Sequence, residues 1–345
     1  MSTQRQFQQH IHVFRAVAIT LIVCAHSLPT FDWTANPWFF HVMDGIANES
    51  SIYFFFIAGY LFQHLSARFD FKRYLWQKIK TVILPYLILS IPAIIVYTFL
   101  LPRGDMWPWF YGLPAWQKAS LFLLTGKHLA PLWFVPTITL FYLVAPVFIY
   151  IDKKQPRLYW SIIAFTALAM YLGRGGQYGP LNKAIYLLPI YMSGMWFCHY
   201  QDRAEALVRK YWIPLLMVSM AGLAGYVLQW TEPPQYLMIM KMPLAALLVI
   251  FLKKYHNRVG HRLDYIAHVS FGIFFVHAYF IGAFKVALAY ATQESPTLRA
   301  ASYATLVGTP GLYFAFAALV LVASVVLIWL AQKVLGDRSR MFIGA

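Results

Sequence analysis

The chain has 345 residues, of which 60% are hydrophobic and only 12% are charged, whereas soluble domains carry about 25% charged residues. A mean hydropathy of +0.58 and apolar segments that recur from end to end exclude a soluble multidomain protein and indicate one integral-membrane domain over residues 1–345. The net charge of +16 would suggest a nucleic-acid partner for a soluble protein, but the basic residues here are sorted by loop, so we expect no such partner.

Segments of about 17–25 mostly apolar residues are typical of membrane-spanning helices. The sequence has ten such segments, at approximately 11–30, 46–65, 81–101, 131–151, 158–173, 184–200, 212–230, 236–252, 266–290 and 311–333. We therefore expect an all-α integral membrane protein with about ten transmembrane helices in one bundle.

The lysines and arginines are distributed unevenly between the two sets of loops. The termini and the connections 66–80, 152–157, 199–211 and 253–265 contain 19 of the 28, and the opposite set of loops contains six. Because Lys and Arg accumulate in short cytoplasmic loops, this pattern predicts that both termini are cytoplasmic. The expected location is the cytoplasmic (inner) membrane of a bacterium.

The remaining three basic residues, Arg15, Lys241 and Lys285, fall in or at the ends of predicted spans. Long cationic side chains near helix ends often extend to the membrane surface, and we expect this of Lys241 and Lys285. The two cysteines, Cys24 and Cys198, both lie in apolar segments, so the sequence supports neither a disulfide framework nor a metal cluster. We expect no metal.

The first span, 11–30, carries Arg15 near its start and His26 near its end. Ionisable groups within membrane spans are costly, so they are functional candidates by default. Neutral His26 can accept a proton from a hydroxyl group, although a hydrogen bond to a neighbouring helix would also explain it. On a continuous helix the two backbones would lie about 16 Å apart, with Arg15 near one membrane face and His26 toward the other.

Arg15 and the basic run after the second span form a candidate anion site. A guanidinium can bind phosphate through two parallel hydrogen bonds. Together with Arg15, the residues Lys72, Arg73, Lys78 and Lys80 can form a basic rim for a polyanionic cofactor. The alternative is that these charges only set the topology.

Glu49 precedes the second span at the same predicted end as His26. A carboxylate there can orient the imidazole and stabilise its protonated form, as in other acid–base pairs. The alternative is a solvated residue in a loop. Within the span, Gly59 would allow another helix to approach closely.

Several motifs occur in a specific order. Arg15 and His26 are separated by ten residues, and they are followed by FFFIAGYLF at 54–62, KRYLWQKIKTVILPYL at 72–87, LAPLWFVPTITLFYLVAPV at 129–147 and SFGIFFVHAYF at 270–280. In this order they resemble the acyltransferase-3 family of membrane O-acyltransferases. The chain is most similar to stand-alone sugar O-acetyltransferases such as fucose 4-O-acetylases, and we expect no fused soluble domain. Ala58 departs from the family pattern, which usually has a serine there.

The resemblance implies that acyl-CoA, usually acetyl-CoA, is the donor and that a hydroxyl group of a carbohydrate or lipid-linked glycan is the acceptor. The protein itself is expected to contact membrane lipid. With this resemblance we expect His26 to be the general base and Arg15 and the basic run to bind the donor. Glu49 lies a turn before the position where many family members have an aspartate, so its expected role beside His26 comes from its predicted position alone. Trp133, Phe134 and His277 are candidates for the substrate pocket; core packing is the alternative role for each. The oligomeric state stays open.

Two other classes of protein remain compatible with the residues alone. A secondary transporter or flippase would use Arg15, His26 and Lys285 as a proton or substrate pathway, but the sequence shows no inverted repeat of the kind many transporters have. A non-catalytic scaffold would explain the aromatic spans but gives no reason for an arginine and a histidine on one apolar helix.

Overall fold

The computed structural model describes residues 8–174, 179–228, 233–291 and 306–345, and within these ranges it contains helices and no β-strand. The helices are α1 (Gln9–Ser27), α2 (Pro37–Ala47), α3 (Ser51–His64), α4 (Phe71–Lys78), α5 (Leu84–Ile95), α6 (Ala115–Thr125), α7 (Phe134–Leu143), α8 (Ala145–Lys154), α9 (Ser161–Leu172), α10 (Pro180–His199), α11 (Gln201–Lys210), α12 (Trp212–Val227), α13 (Pro233–Ala291), α14 (Pro310–Leu335) and α15 (Ser339–Phe342). The all-α prediction is confirmed.

Among the described residues, five stretches are long and apolar enough to cross a membrane: Gln9–Thr30, Phe71–Leu100, Gln235–His256, Leu263–Ala291 and Pro310–Phe342. Two bent helix pairs, α6 with α7 and α11 with α12, raise this number to seven if each pair is one span. The expected count of ten is not confirmed. Helices such as α3 and α9 have 14 and 12 residues, about 21 and 18 Å, and are shorter than a hydrocarbon core of about 30 Å.

Helix α13 differs from the sequence prediction because it has no loop in its middle. It runs for 59 residues and contains two candidate spans, whereas the sequence predicted a connection at 253–265. The start of α1 binds this polar middle: Gln9 donates from Nε2 to Oδ1 of Asp264 at 3.3 Å, and Nε2 of His12 lies 3.2 Å from the Asp264 carbonyl oxygen.

Helix α1 lies alongside the second half of α13, and the two run in parallel. Asp264 contacts the start of α1, while Nζ of Lys285 donates to the carbonyl oxygen of Pro29, just past its end, at 3.3 Å. Helix α1 is continuous through Arg15 and His26, as the sequence predicted. We call the two ends of the bundle the Arg15 end and the His26 end.

Helices α3 and α10 cross with their backbones in contact at two glycines. A Cβ atom on Gly59 would lie 1.9 Å from the carbonyl oxygen of Tyr191, and one on Gly194 would lie 2.0 Å from that of Phe56. No side chain fits at these distances, so glycine at both positions permits the crossing. The expectation that Gly59 allows close helix approach is confirmed.

Lys241 does not extend to a membrane surface, which corrects the sequence prediction. Its side chain on α13 is fully buried, and Nζ donates to the carbonyl oxygen of Ile46 at 2.7 Å and to Oγ of Ser50 at 3.3 Å. Ile46 is in the last turn of α2, where carbonyl groups have no partner within the helix and attract cations. Lys241 therefore fixes the corner between α2 and α3.

Candidate functional site

A cavity of about 60 Å³ opens beside His26, large enough for about four water-sized groups. Helices α1 and α13, the α2–α3 corner, the 3-10 turn just before α7 and the segment just after α9 all contribute to it. Its lining residues are Ile22, Ala25, His26, Asn48, Glu49, Ser50, Ser51, Pro131, Trp133, Arg174 and Phe274. The structure thus places His26, Glu49 and Trp133, three of the sequence-predicted site residues, around one space.

His26 has a second histidine as its neighbour. The ring centroids of His26 and His277 are 5.4 Å apart, with 33° between the ring planes. Nδ1 of His277 lies 2.8 Å from the carbonyl oxygen of Ile273, which can only accept, so Nδ1 carries a proton. In the neutral ring Nε2 then presents a lone pair, and this buried atom has no hydrogen-bond partner among the described residues.

Glu49 occupies the corner between α2 and α3 in a backbone conformation that L-residues seldom adopt. Its φ is +57°, and its side chain is buried. The backbone N–H of Glu49 donates to Oδ1 of Asn48 at 2.8 Å, which stabilises the turn locally. Such strained residues cluster at functional sites. The conformation directs the carboxylate toward the cavity that His26 lines.

Glu49 pairs with Arg174, a residue that the sequence reading did not select. Nη1 of Arg174 binds Oε1 of Glu49, while Oε2 of Glu49 has no partner among the described residues. The structure thus gives the carboxylate a cation in place of the expected bond to the imidazole. The Arg174 guanidinium also lies 4.4 Å from the ring centroid of Trp133. In the sequence, Arg174 is distinguished only as one of the six basic residues in the loops on the side opposite the termini.

Phe134 follows Trp133 directly but lies in the aromatic core. Its ring centroid is 5.0 Å from that of Phe55 and 5.2 Å from that of Phe274, and it is not among the residues that line the cavity. Phe134 therefore packs in the core, and Trp133 lines the pocket.

A group of cations lies at the Arg15 end. The charge of Arg340 acts on both Arg15 and Lys78, and Arg340 belongs to α15, which packs against α5. Lys78 lies over the rings of Tyr74 and Tyr142, at 5.4 and 5.2 Å. The structure therefore brings Arg15 and Lys78 together and adds Arg340, which the sequence reading missed.

The other residues of the predicted basic rim lie on or just after α4. Lys72 and Arg73 are exposed, and Nζ of Lys80 lies 4.9 Å from the ring centroid of Trp76.

Among the described residues, no three His, Cys, Asp or Glu side chains form a group suited to a metal ion.

The fold and the cavity define the class: a helical integral-membrane protein with a histidine pair and a buried acid–arginine pair at one end, and clustered cations at the other. The model of the acyltransferase domain family, acyltransferase-3, matches residues 9–330. The chain therefore belongs to the acyltransferase-3 family and is a membrane acyltransferase. No curated protein and no solved structure matches the chain.

Proposed function

We propose that the protein transfers an acyl group, acetyl in the simplest case, from acyl-CoA to a hydroxyl group of an envelope or exported glycan. The observation that carries this proposal is the placement of Arg15 and His26 on one uninterrupted helix, with cations around the first and a cavity beside the second. The separation of about 16 Å along α1 is of the order of the length of the pantetheine arm of CoA.

The Arg15 end binds the donor in this proposal. Arg15, Lys78 and Arg340 are cations that act on one another, and grouped cations repel unless an anion lies between them. The phosphates of acyl-CoA supply that anion, and guanidinium groups bind phosphate through paired hydrogen bonds. The thioester then reaches the cavity at the His26 end.

His26 acts as the general base at the cavity. The acceptor hydroxyl oxygen bonds to the acyl carbon while its proton passes to His26, and the C–S bond breaks with its electron pair leaving on sulfur. His26 then returns the proton to the CoA thiolate. A positioned base of this kind contributes about 10²–10⁴-fold to the rate.

His277 orients the base. Because Nδ1 of His277 is committed to Ile273, its Nε2 lone pair is free to accept a hydrogen bond from the N–H of His26. That bond would fix the tautomer of His26 and turn its unprotonated nitrogen toward the acceptor hydroxyl.

The test is acyl transfer by purified protein in lipid nanodiscs, measured as release of the CoA thiol from acetyl-CoA. We expect His26→Ala to abolish release without changing thermal unfolding. The matched control is His268→Ala, which removes an exposed histidine and should leave the rate unchanged. Normal release by the His26 variant, or transport of a saccharide into liposomes without any acyl transfer, would contradict the proposal.

A further inference from the structure

Three basic residues lie on the Trp133 side of the cavity at the His26 end: Arg174 lines the cavity, Lys183 contacts Trp133, and Lys127 is near Lys183. We call Lys127, Arg174 and Lys183 the mouth cluster. Arg174 and Lys183 both lie against the ring of Trp133, with charged groups 4.4 and 4.9 Å from its centroid. The charges of Arg174 and Lys127 both act on Lys183. All three side chains are partly buried, so water screens their repulsion only in part.

The acidic residues near the mouth cluster do not balance its charge. Glu49 is paired with Arg174. Asp105 lies close enough for Lys127 to act on it, but Arg103 already donates two hydrogen bonds of 2.9 Å to its carboxylate. Burial raises the pKa of Asp105, but these bonds outweigh that effect and lower the pKa below its usual value.

The sum over these groups is positive. Four cations, Arg103 and the mouth cluster, face two carboxylates, which leaves a charge of plus two. Lys127 and Lys183 take part in no ion pair between described residues. Lys127 instead lies over the ring of Trp107, at 4.4 Å. Partly buried cations without a carboxylate partner carry a desolvation cost, which a bound anion would offset.

The wider surroundings of the cavity do not reverse this sign. The positive charges of Arg174 and Lys285 both act on His26. Asp44 adds one carboxylate beside the buried amine of Lys241, and Lys285 adds one cation, so the sum stays positive whether or not Lys241 is protonated. The groups on the Arg174 side of the cavity therefore carry a net positive charge, while the charged pair that lines the cavity itself, Glu49 and Arg174, is balanced.

We propose that the mouth cluster is an anion subsite and that the acceptor is an anionic saccharide, whose carboxylate or phosphate group binds Lys127 and Lys183 beside Arg174. This inference rests on the proposed function in naming the acceptor. The ring of Trp133, which both Arg174 and Lys183 contact, gives the subsite a rigid apolar wall. The anion would hold the saccharide with one hydroxyl group toward His26.

Binding can be measured without donor, as the rise in the thermal unfolding temperature of the protein in nanodiscs of neutral phosphatidylcholine. Three probes are compared: methyl glucuronide, glucose 1-phosphate and the neutral methyl glucoside. We expect the anionic probes to bind more tightly than the neutral one by about tenfold or more, because hydrogen bonds between charged groups are stronger than those between neutral groups. The two anionic probes distinguish a uronate from a sugar phosphate.

The variants are Lys183→Met and Lys127→Met, which keep the length of the side chain and remove its charge. Each should weaken binding of the anionic probes about tenfold, and Lys183→Arg should retain it. The matched control is Lys118→Met, because Lys118 also lies over an aromatic ring, that of Tyr111 at 5.8 Å, but away from the cavity. This control should bind like the wild type.

Equal binding of charged and neutral probes, or undiminished binding by Lys183→Met, would overturn the anion subsite. Stabilisation by phosphatidylglycerol in place of the saccharides would also overturn it, because the cations would then bind lipid. Release of the CoA thiol from acetyl-CoA, measured separately, reports on the proposed acyl transfer. Acyl transfer without anion preference would refute the subsite alone, and anion binding without acyl transfer would refute the proposed function alone.

Discussion

Arg174 binds the carboxylate of Glu49, and Glu49 is the one non-glycine residue with a positive φ in the described part of the chain. The left-handed conformation costs an L-residue about 1–2 kcal/mol, and a partly buried ion pair requires good geometry to offset its desolvation. The chain therefore tolerates strain to direct this carboxylate toward the cavity.

The strain at Glu49 is measurable by comparing two variants that both remove the carboxylate. Glycine accepts a positive φ without steric cost and alanine does not. We therefore expect Glu49→Gly to be more stable than Glu49→Ala by about 1 kcal/mol, measured by denaturant unfolding of the purified protein. Both variants should lose acyl transfer. Equal stability of the two would mean that the backbone at Glu49 is unstrained.

The role of the second histidine follows from the hydrogen bond between His277 and Ile273. Replacing His277 with alanine removes the lone pair that would orient His26, so we expect the kcat for acyl transfer to fall by about 10²-fold. The KM for acetyl-CoA should change little, because the donor phosphates bind at the Arg15 end. The measurement is steady-state kinetics of CoA release.

His277→Gln serves as a second variant, since its side chain can still present an acceptor oxygen, and we expect it to recover part of the lost rate. A His277→Ala variant with the wild-type kcat would show that His26 needs no partner.

The Arg15 end makes a different kinetic prediction. Removing one of the grouped cations should weaken donor binding, so Arg15→Gln and Arg340→Gln should each raise the KM for acetyl-CoA about tenfold or more. The KM for the acceptor should stay near that of the wild type.

Lys72 provides the matched control for this prediction, because its side chain is exposed on α4. Lys72→Gln should change the donor KM by less than about twofold, given the small energies of exposed charges. An unchanged KM for acetyl-CoA in Arg340→Gln would show that α15 does not contribute to the donor site.

The placement of Arg15 and His26 on one helix could be predicted, because both lie in a single apolar segment and the helical rise fixes their separation. The residues that other parts of the chain place around the two ends of this helix could not be predicted. Arg174 and Glu49 are 125 residues apart, and Arg340 belongs to a short C-terminal helix whose position depends on packing. Local sequence contains no information about such long-range pairs.

Hydropathy also did not predict the number of membrane spans or the direction in which individual side chains point. The predicted span 131–151 is divided at Val144, between α7 and α8, where Pro146 disfavours a continuous helix. Trp133 and Phe134 are adjacent large aromatic residues, yet one lines the cavity and the other packs in the core. A short 3-10 turn before α7 decides which of them faces the site.

The crossing of α3 and α10 gives a prediction about stability that does not depend on function. Gly59→Ala and Gly194→Ala would each place a methyl group about 2 Å from a backbone carbonyl oxygen, and the helices would have to separate. We expect each to destabilise the protein by about 3 kcal/mol, the upper end for overpacked sites, seen as a lower thermal unfolding temperature. Gly282→Ala is the control, because a Cβ there meets nothing within 4 Å. It should be neutral or stabilise the helix by up to about 1 kcal/mol, and similar behaviour of all three variants would show that the two helices do not cross at these glycines.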